Sequence, residues 1–114
     1  MKIVNTREAK ELYQAILSLE NIDECRRFLR DLLTEPEIHE FSNRWQVVKM
    51  LDKKVPYESI TRKTGMSSTT IARIQKWLTG SLGGYRLMLN KINKSMNNKQ
   101  INNNVAYHTR LLAV

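Results

Sequence analysis

Residues 65–77 read GMSSTTIARIQKW, with four small hydroxylated side chains, Ser67, Ser68, Thr69 and Thr70, at the head of an apolar and basic pattern. On a helix of 100° per residue, Ile71, Ile74 and Leu78 fall within about 60° of one another. Thr69, Ala72, Arg73 and Lys76 fall on the opposite side. That outer face offers a hydroxyl, a methyl, a guanidinium and an ammonium, groups that bond phosphates, touch a thymine methyl and fork onto guanine. Short residues at the head allow a helix into a major groove, and unpaired amides at a helix N-terminus favour phosphate. Any one of the hydroxyls is equally well explained as a cap or a solvated group. The whole cluster, with Gly65 before it and Arg73 and Lys76 behind it, favours DNA.

The charge distribution points the same way. The chain has 114 residues, a net charge of +8 and a pI near 9.9. Residues 1–43 hold six Lys/Arg against nine Asp/Glu, residues 44–76 hold eight against two, and residues 77–114 hold five against none. No acidic residue follows Glu58, so nothing there repels a phosphate. A basic excess of this size favours a polyanionic partner, either nucleic acid or an anionic membrane surface. Lys53 and Lys54 join the candidate DNA contacts on charge alone.

Other chemistries find little to work with. His39 and His108 have no ligand-spaced partners, and no zinc-type Cys/His set or phosphate-loop glycine pattern occurs. Glu35, Glu37 and Glu40 sit at a helix start, where capping accounts for them. No catalytic residue, metal or cofactor is therefore expected. Cys25 is the only cysteine, so an intrachain disulfide is excluded and a reducing cytosol is the expected home. It lies on an apolar helix face, which predicts a buried thiol. No apolar run approaches the ~18 residues of a membrane span, and the opening MKIVNTREAK turns polar too soon for a signal peptide. A cytoplasmic protein with no membrane partner is expected.

The elements that must position the reading face are helical. The length predicts one domain, and apolar residues recur at helical spacing almost throughout. Asn5 or Thr6 caps a first helix carrying Ala9, Leu12, Tyr13, Ile16 and Leu19, which ENID breaks. A second carries Ile22, Cys25, Phe28, Leu29, Leu32 and Leu33. TEPE is a capping box built on Thr34 and Glu37, with Pro36 in the first turn. The third helix places Ile38, Phe41, Trp45 and Val48 on one stripe, with Arg44, Val47 and Leu51 beside it, and ends near DKKV. Pro56 starts a short fourth helix that Gly65 stops, and Ser67 or Ser68 caps the fifth, which reaches about Leu78. After the break TGSLGG, a sixth helix begins near Gly84 with Tyr85, Met88, Leu89, Ile92 and Met96 on one side. Two short helices joined by a tight glycine turn form a helix-turn-helix over about residues 56–78. Ile60, Met66, Ile71 and Ile74 would close its core. Tyr13, Phe28, Phe41, Trp45 and Tyr85 all lie on apolar faces and are expected in the interior, with Tyr57 and Trp77 the exceptions. From Asn93 the composition turns polar and asparagine-rich, dividing a domain over 1–92 from a tail over 93–114. The closing VAYHTRLLAV reads either as a docking segment or as a mobile end.

The stretch LTEPEIHEFSNRWQVVKML…YESITRKTGMSSTTIARIQKWL resembles the Trp-repressor family. Together with the opening LYQAILSLENIDECRRFLRDLLTEPEI, it is most similar to the YerC/YecD branch of small regulators. The resemblance covers roughly residues 5–90. It implies an all-α protomer of about six helices whose N-terminal helices interlock with those of a second copy. Such a homodimer would set two recognition helices about 34 Å apart on one side of a duplex. Thr61 and Arg62 then join the DNA contacts, and Ser68, Thr69 and Thr70 occupy the operator-facing start of the recognition helix. In the tryptophan-responsive repressor two arginines sandwich the indole, and Arg44 and Arg73 match them here as candidate effector ligands. The glycine that leaves room for the ring is replaced by Ile74, however, and a small hydroxyl residue nearby by Trp77. Tryptophan corepression is therefore not expected.

The reading that follows is a sequence-specific double-stranded DNA-binding regulator. Repression is the expected sign, because a chain this short leaves no room for an activation domain. The alternative is an RNA-binding or helical protein-interaction module; an RNA reader would be expected to expose aromatic residues for stacking.

Overall fold

The computed structural model describes residues 2–80 and 82–112, with side chains described for 2–80 and 82–99. The docking role weighed for residues 105–114, and His108, fall outside those side chains. Among the described residues the fold is all-α, with six helices: α1 (Arg7–Leu17), α2 (Ile22–Leu32), α3 (Glu35–Asp52), α4 (Tyr57–Thr64), α5 (Ser68–Leu78) and α6 (Gly84–Leu112).

Local side-chain bonds set the helix starts. The Thr6 hydroxyl, and not Asn5, accepts from the Ala9 amide at 3.1 Å to open α1. Asn21 opens α2 by accepting from the Glu24 amide at 2.9 Å. The capping box of α3 is complete: Glu37 N–H donates to Thr34 Oγ1 (3.3 Å), and Thr34 N–H donates to Glu37 Oε1 (3.0 Å). The Thr34 amide and the Thr34 hydroxyl both donate to the carboxylate and hold the Glu37 pKa below its ordinary value of 4.5. At the other end of α3, Lys54 takes a left-handed conformation, φ 62°. The Lys54 amide donates to Leu51 O and the Val55 amide to Met50 O, both at 3.0 Å, a Schellman closure built without glycine.

The core is small and lies at one end. It consists of Val47, Val48 and Leu51 of α3, Ile60 of α4, Ile71, Ile74 and Leu78 of α5, and Leu89 of α6. Trp45, Met66, Trp77 and Tyr85 pack against it while remaining half-buried. By contrast, α1 and α2 contain no buried residue. Two aromatics expected inside are therefore not there: Tyr13 is 43% exposed and Phe41 45%. Cys25, expected buried, is half-buried. Their faces are apolar, as their spacing demands, but nothing among the described residues lies opposite to cover them fully. The sixth helix passes Asn93 without interruption, so the change of composition there is not a helix boundary.

Candidate nucleic-acid interface

The turn between α4 and α5 is built from residues 65–67. Gly65 has φ 76° and ψ 0°, the left-handed region in which a Cβ is disfavoured, and its amide closes α4 by donating to Thr61 O at 2.8 Å. Thr64 donates its hydroxyl to Ile60 O (2.8 Å) and accepts from the Met66 amide (3.2 Å), which pins the exit of α4. Met66 then turns toward the core. Ser67 caps α5, accepting from the Thr70 amide at 3.2 Å, and the Ser67 and Thr70 hydroxyls lie 3.0 Å apart.

These bonds divide the hydroxyl cluster. Ser67 and Thr70 engage each other and the helix start, and Thr70 is half-buried. Ser68 and Thr69 are exposed at the tip. Along α5, Ile71 and Ile74 are fully buried and Leu78 nearly so. Thr69, Ala72, Arg73 and Lys76 are exposed on the other side. The sequence reading thus placed the inner and outer faces as the structure has them. Thr61 is half-buried. Arg62 is exposed, and its guanidinium donates to Ser59 Oγ at 3.2 Å. Lys53 and Lys54 are exposed just past the end of α3, with the left-handed turn at Lys54 directing the chain into α4.

Of the two arginines considered as effector ligands, Arg73 is exposed on α5, and Arg44 lines an open groove of about 600 Å³ with Trp45, Trp77, Leu82, Gly84, Tyr85 and Met88. The Arg44 guanidinium is held at 2.9 Å by Glu40 and lies 5.6 Å from the centre of the Phe41 ring. Trp77 forms part of the groove wall, and the side chain of Ile74 is buried in the core.

Two features escaped the sequence reading. Arg86, in the first turn of α6, makes a 2.8 Å ion pair with Asp52 at the end of α3. The two are 34 residues apart, and no local pattern links them. The lysines of α6 were also not singled out, although the lack of any acid after Glu58 was a signal for them.

Residues 7–93 match the family described as Trp repressor protein. The chain belongs to that family. Among curated relatives, the uncharacterized protein YerC of Bacillus subtilis is 34% identical over 89 residues, spanning 78% of this chain and 86% of YerC. Among solved structures, a TrpR-like protein from Eubacterium eligens superposes with a TM-score of 0.73 at 38% identity, covering 77% of this chain and 91% of that one. A candidate Trp repressor from Staphylococcus aureus gives 0.73 at 37% identity, covering 78% and 89%. The YerC-type, Trp-repressor-like assignment is thus supported by sequence and by fold, and a DNA-binding regulator is the activity this family suggests. None of its helices is long and apolar enough to cross a membrane, among the described residues.

Proposed function

We propose that this protein is a sequence-specific double-stranded DNA-binding transcriptional regulator, a repressor, that acts as a homodimer and reads the major groove with α5. One observation carries the reading: Thr69, Ala72, Arg73 and Lys76 stand exposed on one face of α5 while Ile71, Ile74 and Leu78 fix the opposite face in the core. Arg73 forks onto a guanine edge, Lys76 neutralises a phosphate, and the exposed Ser68 and Thr69 hydroxyls bond backbone oxygens at the helix start.

The dimer is supported by what the protomer leaves uncovered. Tyr13, Ile16, Leu17, Ile22, Leu32 and Phe41 are all exposed, far more apolar surface in one region than a monomer ordinarily leaves in water. An open groove of about 670 Å³ lined by Ile22, Cys25, Leu29 and Ile38 lies in the same region. A second copy covering these faces would double the number of reading helices. No tryptophan is needed to hold α5, because Ile74 already anchors it and Trp77 takes up groove space.

Competition among duplex DNA, single strands and RNA of one sequence tests the reading. Duplex is expected to win, with steep salt dependence. Arg73→Ala should cost about 1–3 kcal/mol and relax base preference, while Lys76→Ala should lower the salt slope by about 1. Binding by both variants at wild-type strength would show the reading face to be elsewhere. Tryptophan titration should give no heat; a micromolar isotherm would restore a corepressor.

A further inference from the structure

The two ends of the helix-turn-helix are joined by an ion pair. Asp52 is the last residue of α3, just before the left-handed turn at Lys54 that leads into α4. Arg86 is the third residue of α6, just after the connector from α5. The Arg86 guanidinium donates to Asp52 Oδ1 at 2.8 Å across 34 positions of sequence, and all of α4 and α5 lies between the two. Among the described residues every other ion pair joins positions no more than four apart.

Neither charge stands where its own helix favours it. Asp52 is at the negative end of the α3 dipole, and Arg86 is at the positive end of the α6 dipole. Local helix electrostatics therefore accounts for neither residue, and the link between them is what remains. Nor is that link a large source of stability. The side chains are 46% and 24% exposed, and ion pairs so open to water contribute little. What the pair supplies is geometry.

The base of the unit has few other ties. The connector carries Gly80 and Gly83, and α6 opens on Gly84; a Cβ built on Gly83 or Gly84 meets nothing within 4 Å. An open groove of about 600 Å³ is lined by Arg44 and Trp45 of α3 and by Tyr85 and Met88 of α6, so the two helices do not close on each other there. Among the described residues Leu89 is the one α6 side chain buried in the core. The reading helix α5 is anchored along a single row, Ile71, Ile74 and Leu78. A row of that kind resists sliding and separation more than it resists rocking about its own line.

We infer that Asp52 and Arg86 form a positioning clasp, which ties the entry and the exit of the α4–α5 unit to each other and so fixes the tilt of α5 against the rest of the protomer. Neither residue touches DNA in this role. The role rests on the dimeric DNA-reading proposal above and deepens it. A dimer measures the spacing of two half-sites only if each α5 is held at a fixed angle. One inserted base pair moves a half-site by about 3.4 Å and turns it by about 34°.

The test uses a duplex selected from a random pool by the wild-type, full-length chain, and the same duplex with one base pair inserted between its half-sites. Insertion should cost wild type about tenfold or more in affinity, because both reading helices no longer engage together. Arg86→Gln and Asp52→Asn should each narrow that loss to under about threefold, with thermal midpoints within about 4 °C of wild type. Asp52→Arg combined with Arg86→Asp keeps the net charge and should restore the wild-type ratio. Lower stability alone would weaken binding to both duplexes by the same factor and leave the ratio unmoved. Full discrimination in both single variants overturns the clasp and leaves the α5 reading intact. Relaxed discrimination in Arg86→Gln with Asp52→Asn like wild type would make Arg86 a contact in its own right and also overturn it. So would a swapped pair that folds and stays relaxed. Failure of wild type to prefer duplex DNA overturns the α5 reading and the clasp together, and a wild type that prefers duplex but ignores spacing overturns the dimer and the clasp.

Discussion

The two ends of this protomer obey different rules. In α3–α5, apolar periodicity is satisfied within the chain: Val47, Val48, Ile60, Ile71 and Ile74 are fully buried. In α1 and α2 periodicity of the same kind buries nothing, and the large side chains Leu17 and Ile22 are 83% and 79% exposed. The charges differ as well, since the N-terminal region is mildly acidic and everything after Glu58 lacks acid. One region is a finished unit with a cationic outer face. The other leaves broad apolar faces exposed, which the proposed second copy would cover. Mutations should therefore act on the two by different physics, one through intrachain stability and one through association.

The largest effect should come from the unfinished region. Leu17→Asp combined with Phe41→Asp places charge on the exposed apolar faces of α1 and α3. Sedimentation should then report a monomer with its helix content kept. DNA affinity should fall by about 10²–10⁴, the avidity lost when two linked reading helices become one. A variant that remains a dimer would show that another surface joins the copies.

Ile60→Ala probes the finished region. It leaves a hole in a fully buried site and should cost about 2–5 kcal/mol in urea unfolding. The comparison is sharpened by protein concentration. The stability lost in Ile60→Ala should be nearly the same across a hundredfold dilution, whereas losses in α1 variants should shrink as the protein is diluted, because wild type then gives up the stabilisation that association adds.

The contrast also explains what was legible in the sequence. Caps and turns are local, so the Thr34–Glu37 box, Gly65 and the start of α5 at Ser67 could be read directly, and the inward set Ile71, Ile74 and Leu78 followed from spacing. Spacing says that a face needs cover but not which chain supplies it, so Tyr13 and Phe41 were expected inside and are not. Lys54 was legible as a charge and illegible as a left-handed residue, because lysine carries no signal for that conformation. The Asp52–Arg86 pair depends on how α6 returns to α3, which no local pattern encodes. The run of asparagines after residue 93 marked a change of composition and left the order of the tail open; asparagine lowers helix propensity by only fractions of a kcal/mol and does not stop a helix already begun.

The two left-handed turns beside the reading face give a smaller and opposite pair of effects. At Gly65 an added Cβ meets nothing within 4 Å, so Gly65→Ala should cost only the backbone strain, about 1–2 kcal/mol. At Lys54 that strain is already present. Lys54→Gly should relieve it, less the entropy glycine adds to the unfolded chain, for a net gain of about 0.5 kcal/mol in urea unfolding. Because Lys54 is also a candidate phosphate contact, the same variant should be more stable and yet bind duplex with a lower salt slope.

The smallest effect concerns α3, which joins the two regions. Its C-terminal half supplies Val47, Val48 and Leu51 to the core, while its N-terminal half presents Phe41 outward and is held by the Thr34–Glu37 box. The hydrogen bonds from the Thr34 backbone and side chain lower the Glu37 pKa in the folded state. The carboxylate therefore contributes stability above the unfolded-state value of 4.5, and that contribution is lost as pH falls through the lower folded value. Glu37→Gln should lie below wild type in thermal midpoint at neutral pH and converge with it in acid. The fraying falls at the end of α3 that carries Phe41 and not at the end that carries the core. Mild acid should therefore weaken association of the wild-type protein relative to Glu37→Gln before it disturbs the Ile60–Ile71–Ile74 cluster. Equal acid sensitivity of dimer mass in the two proteins would mean that the start of α3 is not coupled to the interface.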